Sequence, residues 1–193
     1  MTGTLLIFAR APHLGAAKRR LARDIGAVAA QRFYIATMMA VVRRLARDRR
    51  WRTVLAVTGG AARWPGGVAR TEQVSGPLGR RMDRAIRGMP PGPVVLVGTD
   101  IPDLGPRHVA QAFRALGDHD AVFGPATDGG YYLVGMRRCP FQPRLDGPVR
   151  WSTAHALADT LALFDPRVRV AMVETLADVD DGADLARWQA RGG

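Results

Sequence analysis

The chain has one cysteine, Cys139, and one lysine, Lys18, in 193 residues. A lone cysteine excludes an intrachain disulfide and a metal site built from thiolates. No apolar run approaches the ~20 residues that cross a bilayer. The stretch from Met1 to Phe8 lacks the small-residue cleavage pattern of a secretory signal, so the expectation is a cytoplasmic protein without a membrane span. The four histidines are scattered. CxxC, HExxH, GxSxG, the P-loop pattern and a GxGxxG after the first strand are all missing. Acids are scarce too: 17 against 28 basic residues, a net charge of +11. An arginine excess of this kind fits a GC-rich genome. It also fits a polyanionic ligand such as a nucleotide. Arg43, Arg44, Arg47, Arg49 and Arg50 crowd the end of a helical stretch, where they suit the helix dipole and a solvated face. No aromatic-interleaved basic stripe is present, so nucleic acid is not the expected partner. Nothing in the sequence bears on oligomeric state.

What is present describes one ordinary domain, residues 1–193, long enough to bury a core without disulfides. Short apolar runs alternate with helical segments. Strands are expected at Leu5–Ala9, Thr53–Val57, Arg70–Val74, Val94–Val97, Ala121–Phe123, Tyr131–Val134 and Val168–Val173. Helices are expected over Val28–Arg47, with Phe33, Met38, Val41, Val42 and Leu45 facing the core, then after Pro77 and over Pro106–Leu116, Thr153–Leu163 and Ala183–Gln189. Thr58–Gly67 reads as a loop. This alternation predicts an α/β protein with a mostly parallel central sheet covered on both faces, a three-layer α/β/α arrangement. Ligands in such sheets bind beyond the carboxyl ends of the strands, so the polar residues just after strands are the candidates.

Four stretches meet that test. Phe8–Leu21 follows the first strand and brings Arg10, Lys18 and Arg20 to a helix start, an arrangement that suits a diphosphate as well as a solvated basic turn. His13 reads as a solvent-facing loop residue. Gly98–Asp103 places Asp100 at the end of the strongest strand, where a hard cation shared with substrate phosphates would sit; Asp100 closing a turn before Pro102, and Asp103 capping the next helix, are the plainer readings. Gly124–Leu133 contains Asp128-Gly129-Gly130, a hairpin-turn signal first of all, in which Asp128 is also a candidate base or sugar-hydroxyl ligand. Asp178–Leu185 holds four acids. Asp184 favours the first turn of the last helix, and Asp180 is the one best placed to reach back to Asp100 as a second metal carboxylate.

Together these stretches resemble a glycosyltransferase-A-like family, the radical-SAM/selenodomain-associated or arsenosugar-biosynthesis transferases, which are similar to molybdopterin and phospholactate guanylyltransferases. The matching segments are FARAPHLGAAKRRL, QVSGPLGRRM (Gln73–Met82), VLVGTDIPDL, GPATDGGYYLVG, RWST (Arg150–Thr153) and DVDDGADL, in order and at fitting separations. The resemblance implies a GT-A (nucleotide-diphospho-sugar transferase) fold. It assigns Lys18 and the Arg10 loop to phosphates, Gln73 and Gly76 to the neighbourhood of the base, and Asp100 and Asp180 to Mg or Mn. Arg19 stands where the family usually has Thr, and Asp181 likewise. The reading is a metal-dependent glycosyltransferase with a nucleotide-sugar donor, with Asp128 as base and Lys18 as the charged catalytic group. A nucleotidylyltransferase releasing pyrophosphate and a non-catalytic nucleotide-binding protein are the alternatives.

Overall fold

The structure is a computed structural model that describes residues 3–15 and 18–192; Ala16 and Ala17 of the first motif lie outside the described residues. The first strand, β1 (Gly3–Arg10), is followed by helices α1 (Arg19–Ile25) and α2 (Ala27–Ala46), then β2 (Trp51–Thr58), β3 (Ala69–Glu72) and α3 (Leu78–Arg87). Next come β4 (Val94–Val97), α4 (Pro106–Ala115), β5 (Ala121–Pro125) and β6 (Tyr131–Met136). The chain closes with α5 (Ala156–Leu161), β7 (Val170–Met172) and α6 (Gly182–Ala190). Among the described residues no helix is long and apolar enough to cross a membrane.

The strands form one sheet in the order β3-β2-β1-β4-β6-β5-β7. Only β6 runs against its neighbours, pairing antiparallel with both β4 and β5. The period of two along each strand sorts side chains onto two faces. Leu5, Ile7, Leu55, Val95 and Val97 pack under α2 and α4. Leu6, Val54, Ala56, Leu96 and Val134 pack under Met82 and Ile86 of α3. Each fully buried Leu, Ile or Val among them contributes about 1.5–3 kcal/mol of burial free energy. The expected three-layer α/β/α architecture is the observed one.

Local differences have local causes. The helix expected over Val28–Arg47 is α2, and the helix start at Lys18–Arg20 opens a separate short helix, α1, which Gly26 at φ 86° parts from α2. Along α2 the buried stripe is Ala30, Tyr34, Met38, Val41, Val42 and Leu45. Phe33 stands off that stripe and meets Trp188 of α6 edge-on at 5.8 Å. Arg44 is not part of a purely solvated face: it donates to Pro102 O at 2.8 Å and so holds the loop after β4. The helix expected from Thr153 begins at Ala156, because the Thr153 hydroxyl donates to Arg150 O and closes a turn there. β3 stops at Glu72, leaving Gln73 just beyond the strand.

Candidate active site

The carboxyl ends of β1, β2 and β4, together with the start of the antiparallel β6, open into one cleft of about 930 Å³. Its floor is apolar, formed by Phe8, Leu78, Met82, Leu96 and Val134, and its rim is charged. The register explains part of this. Ile7 pairs with Val97, and Arg10 and Asp100 each lie three residues further on, so both arrive at the same edge. Tyr34 of α2 fixes the Arg10 backbone from both sides, accepting from its N–H at 3.1 Å and donating to its carbonyl at 2.9 Å.

At the centre of the rim is Lys18. Its Nζ lies 3.2 Å from Asp100 Oδ1 and 2.9 Å from Asp180 Oδ1. The side chain is only 4% exposed. Burial alone would lower its pKa, but the two carboxylates outweigh that and hold the ammonium above its ordinary value. Lys18 reaches this position from a left-handed backbone, φ 53° and ψ 46°, directly before α1. A non-glycine residue there is strained, and such strain gathers at functional sites. Ser152, also in the cleft lining, is a second non-glycine residue with positive φ, 61°. Arg20 adds a longer contact, Nη1 to Asp180 Oδ2 at 3.8 Å.

The segment carrying Asp180 is extended. Val179 is buried between Asp178 and Asp180, so the two carboxylates share the opposite face and both line the cleft. Asp184 accepts from the Asp180 N–H at 2.9 Å and so holds its backbone. Asp181 caps α6, accepting from Asp184 N at 2.9 Å. Asp181 thus works as a helix cap, a position that the family's Thr fills equally well. Asp178, not singled out from the sequence, has its carboxyl pushed up to about 6, by burial first and then by Asp180 and Asp128. Its signal was the Asp-Val-Asp alternation, which sends residues 178 and 180 to one side.

The Asp128 turn joins β5 to β6 as the hairpin signal predicts. Asp128 Oδ1 accepts from Gly130 N at 2.8 Å. Gly129 sits at φ 84°, and a Cβ there would fall 2.3 Å from Ala154 O. The turn is therefore pressed against Ala154, the residue after the Arg150–Thr153 motif, and Leu157 N donates back to Gly129 O. Asp128 lines the cleft as well, so the turn and the site occupy the same residue.

Other expectations are redistributed. Gln73 lines the cleft, but its amide is occupied: Nε2 donates to Ala56 O at 2.7 Å, and Oε1 accepts from Arg81. Gln73 thereby carries Arg81 to the rim, where the buried Arg81 Nε has no partner among the described residues. Burial and the nearby Arg10 cation lower the Arg81 pKa. Arg81 belongs to the same QVSGPLGRRM motif, and the missed signal was its place one helical turn inside α3. Gly76, at φ 116°, lies outside the cleft lining. Asp103 does not cap α4. The N–H of Gly105, the residue before that helix, donates to His108 Nδ1 instead, and Asp103 accepts from Trp188 Nε1 at 3.0 Å, tying α6 to the β4 loop. His13 is exposed, as expected, and contacts Gly59 O.

Among the described residues no group of three or more His, Cys, Asp or Glu side chains is arranged to hold a metal by itself. The donor set nevertheless fits a hard divalent cation that keeps phosphate and water oxygens in its shell, since such ions are bound through one or two carboxylates. Asp100 and Asp180 form a carboxylate pair of that kind, brought together on Lys18 from different parts of the chain.

Comparison with known proteins agrees with this fold. Residues 35–153 match the family described as "Uncharacterized protein conserved in bacteria (DUF2064)". A protein from Desulfovibrio desulfuricans G20 assigned as a nucleotide-diphospho-sugar transferase is 30% identical, with a TM-score of 0.82 over 95% of this chain and 84% of that one. The 4-diphosphocytidyl-2C-methyl-D-erythritol synthase of Anaerococcus prevotii DSM 20548 shares the fold at 10% identity, with a TM-score of 0.63 over 98% of this chain and 97% of that one. So does Rv0371C of Mycobacterium tuberculosis H37Rv, solved with manganese, at 16% identity and a TM-score of 0.59 over 97% of each chain. No curated protein matches the chain. The chain belongs to the DUF2064 family, and its fold is that of the nucleotide-diphospho-sugar transferases.

Proposed function

We propose that this chain is a single-domain transferase, residues 1–193, that takes a nucleotide-diphospho-sugar and passes the sugar to an acceptor hydroxyl. The observation that carries the proposal is the meeting of Lys18, Asp100 and Asp180 at the carboxyl edge of the sheet. The 30% identical relative assigned as a nucleotide-diphospho-sugar transferase supports the donor class. The motif resemblance to the radical-SAM/selenodomain-associated and arsenosugar-biosynthesis transferases points the same way. A cytoplasmic setting, where nucleotide-sugars are made, fits the lone cysteine.

Arg10, Arg20 and Arg81 supply fixed positive charge beside a diphosphate, most effective where it develops on the leaving group. Arg81 is held beside the cleft by its hydrogen bond to Gln73. Asp128, at the cleft lip, accepts the proton of the acceptor hydroxyl. Mg²⁺ or Mn²⁺, held by Asp100 and Asp180, is the proposed cofactor and would supply Lewis-acid charge on the diphosphate.

A second reading, a nucleotidylyltransferase, is favoured by one observation: Arg10, Arg19, Arg20, Arg23 and Arg81 all line the cleft, more cationic charge than a diphosphate requires. Product analysis separates the two. A nucleoside diphosphate released from a nucleotide-sugar supports sugar transfer; pyrophosphate released from a triphosphate replaces it with nucleotidyl transfer; neither product from any nucleotide refutes both.

A further inference from the structure

Lys18 is the chain's single lysine, and its side chain is only 4% exposed. Its ammonium takes up one oxygen of each carboxylate to which the proposed function assigns the divalent ion. An ammonium and a divalent cation on the same pair of oxygens repel each other, and both draw on the same negative charge. The backbone beneath Lys18 is left-handed, a conformation that a lysine leaves downhill. Arg20 stands beside Asp180 at 3.8 Å but is 67% exposed, so it shields the pair weakly by comparison. The carboxylates thus have a built-in counter-cation that is tethered, buried and displaceable.

The geometry points to Lys18 as an internal gate on metal binding: its ammonium holds the Asp100–Asp180 pair in the absence of ligand, and must be drawn off before a divalent cation can engage both carboxylates. A nucleotide diphosphate offers that ammonium a new anionic partner. Metal and nucleotide therefore bind with positive coupling, each weak alone and stronger together. The coupling is reciprocal, as linkage requires. The inference rests on the proposed assignment of Asp100 and Asp180 to a divalent ion.

The test is Mn²⁺ binding to the full chain, followed by electron paramagnetic resonance of free Mn²⁺, with and without ADP, CDP, GDP and UDP. Lys18→Met keeps most of the apolar stem and removes the charge. It is expected to bind Mn²⁺ alone about 5- to 150-fold more tightly than the wild type, the usual span of site–site coupling. The enhancement by nucleotide should shrink by the same factor. Asp100→Asn should bind Mn²⁺ more weakly than the wild type. If Lys18→Met binds Mn²⁺ as the wild type does or more weakly, while Asp100→Asn still loses it, the gate is wrong and the metal assignment stands. If no variant binds Mn²⁺ with any nucleotide, both fall. Should Lys18→Met prove too unstable to titrate, Lys18→Gln gives the same comparison, and the wild type alone still decides one point: Mn²⁺ affinity unaffected by all four nucleotides overturns the gate.

Discussion

Replacing Asp178 by Asn should make the protein more stable at neutral pH and leave it unchanged in acid. Asp178 is half-buried beside Asp180 and Asp128, and its carboxyl titrates near 6 rather than 3.8. An acid with a raised folded-state pKa binds its proton more tightly when folded. Between the unfolded and folded pKa values the native state therefore holds more protons, and stability falls as pH rises from about 4 to about 6. The full shift corresponds to about 3 kcal/mol, at 1.36 kcal/mol per unit. Asp178 is only half-buried, so solvent screening reduces the expected cost to about 1 kcal/mol. Asn has the same shape and no charge, and the other titrating groups cancel between the two proteins. Thermal unfolding at pH 7.5 should show the variant about 2–4 °C higher. At pH 4 the two curves should coincide. A variant less stable than the wild type at pH 7.5, or a difference independent of pH, would refute the electrostatic account of this cleft. The site thus holds its acids together against their repulsion, the usual stability–function compromise.

Gly129→Ala places a Cβ 2.3 Å from Ala154 O at a positive φ; it should cost more than about 1 kcal/mol and, by displacing the Asp128 turn, slow turnover, measured by chemical denaturation and product release. Asp181→Ala removes the α6 cap and should cost about 1 kcal/mol, whereas Asp181→Thr should stay within about 0.5 kcal/mol of the wild type; equal losses in denaturant titrations would refute the capping role. Phe123→Ala empties a fully buried position that packs on Tyr131 and Phe164 and should cost about 3–5 kcal/mol in the same titration.

The layers were legible because the signal for them is local. Val94–Val97 is a continuous apolar run, as a strand buried on both faces must be, and Met38, Val41, Val42 and Leu45 mark the inner face of α2 at helical spacing. Strand order was not legible, since nothing local to Tyr131–Met136 says that β6 inserts antiparallel between β4 and β5. The meeting of Lys18 with Asp100 and Asp180 was legible only as membership of one edge. That one ammonium lies between both carboxylates depends on pairing across 162 residues of chain. Asp103 was misread because Asp before Pro106 looks like a cap, while Trp188, its actual partner, lies 85 residues away. Gln73 lines the cleft, but its role in holding Arg81 depends on where α3 packs, which its own neighbours in sequence do not encode.

The central claim is that the cleft binds a nucleotide diphosphate group through Lys18, Asp100 and Asp180. The most direct measurement is a thermal-shift panel of nucleoside diphosphates, triphosphates and nucleotide-sugars, with and without Mn²⁺, on the wild type and Asp100→Ala. A ligand at ~100 times its dissociation constant adds about 2.7 kcal/mol. The account predicts a Mn²⁺-dependent rise with a nucleotide-sugar that Asp100→Ala abolishes. No shift with any nucleotide, or one that Asp100→Ala leaves intact, would contradict it.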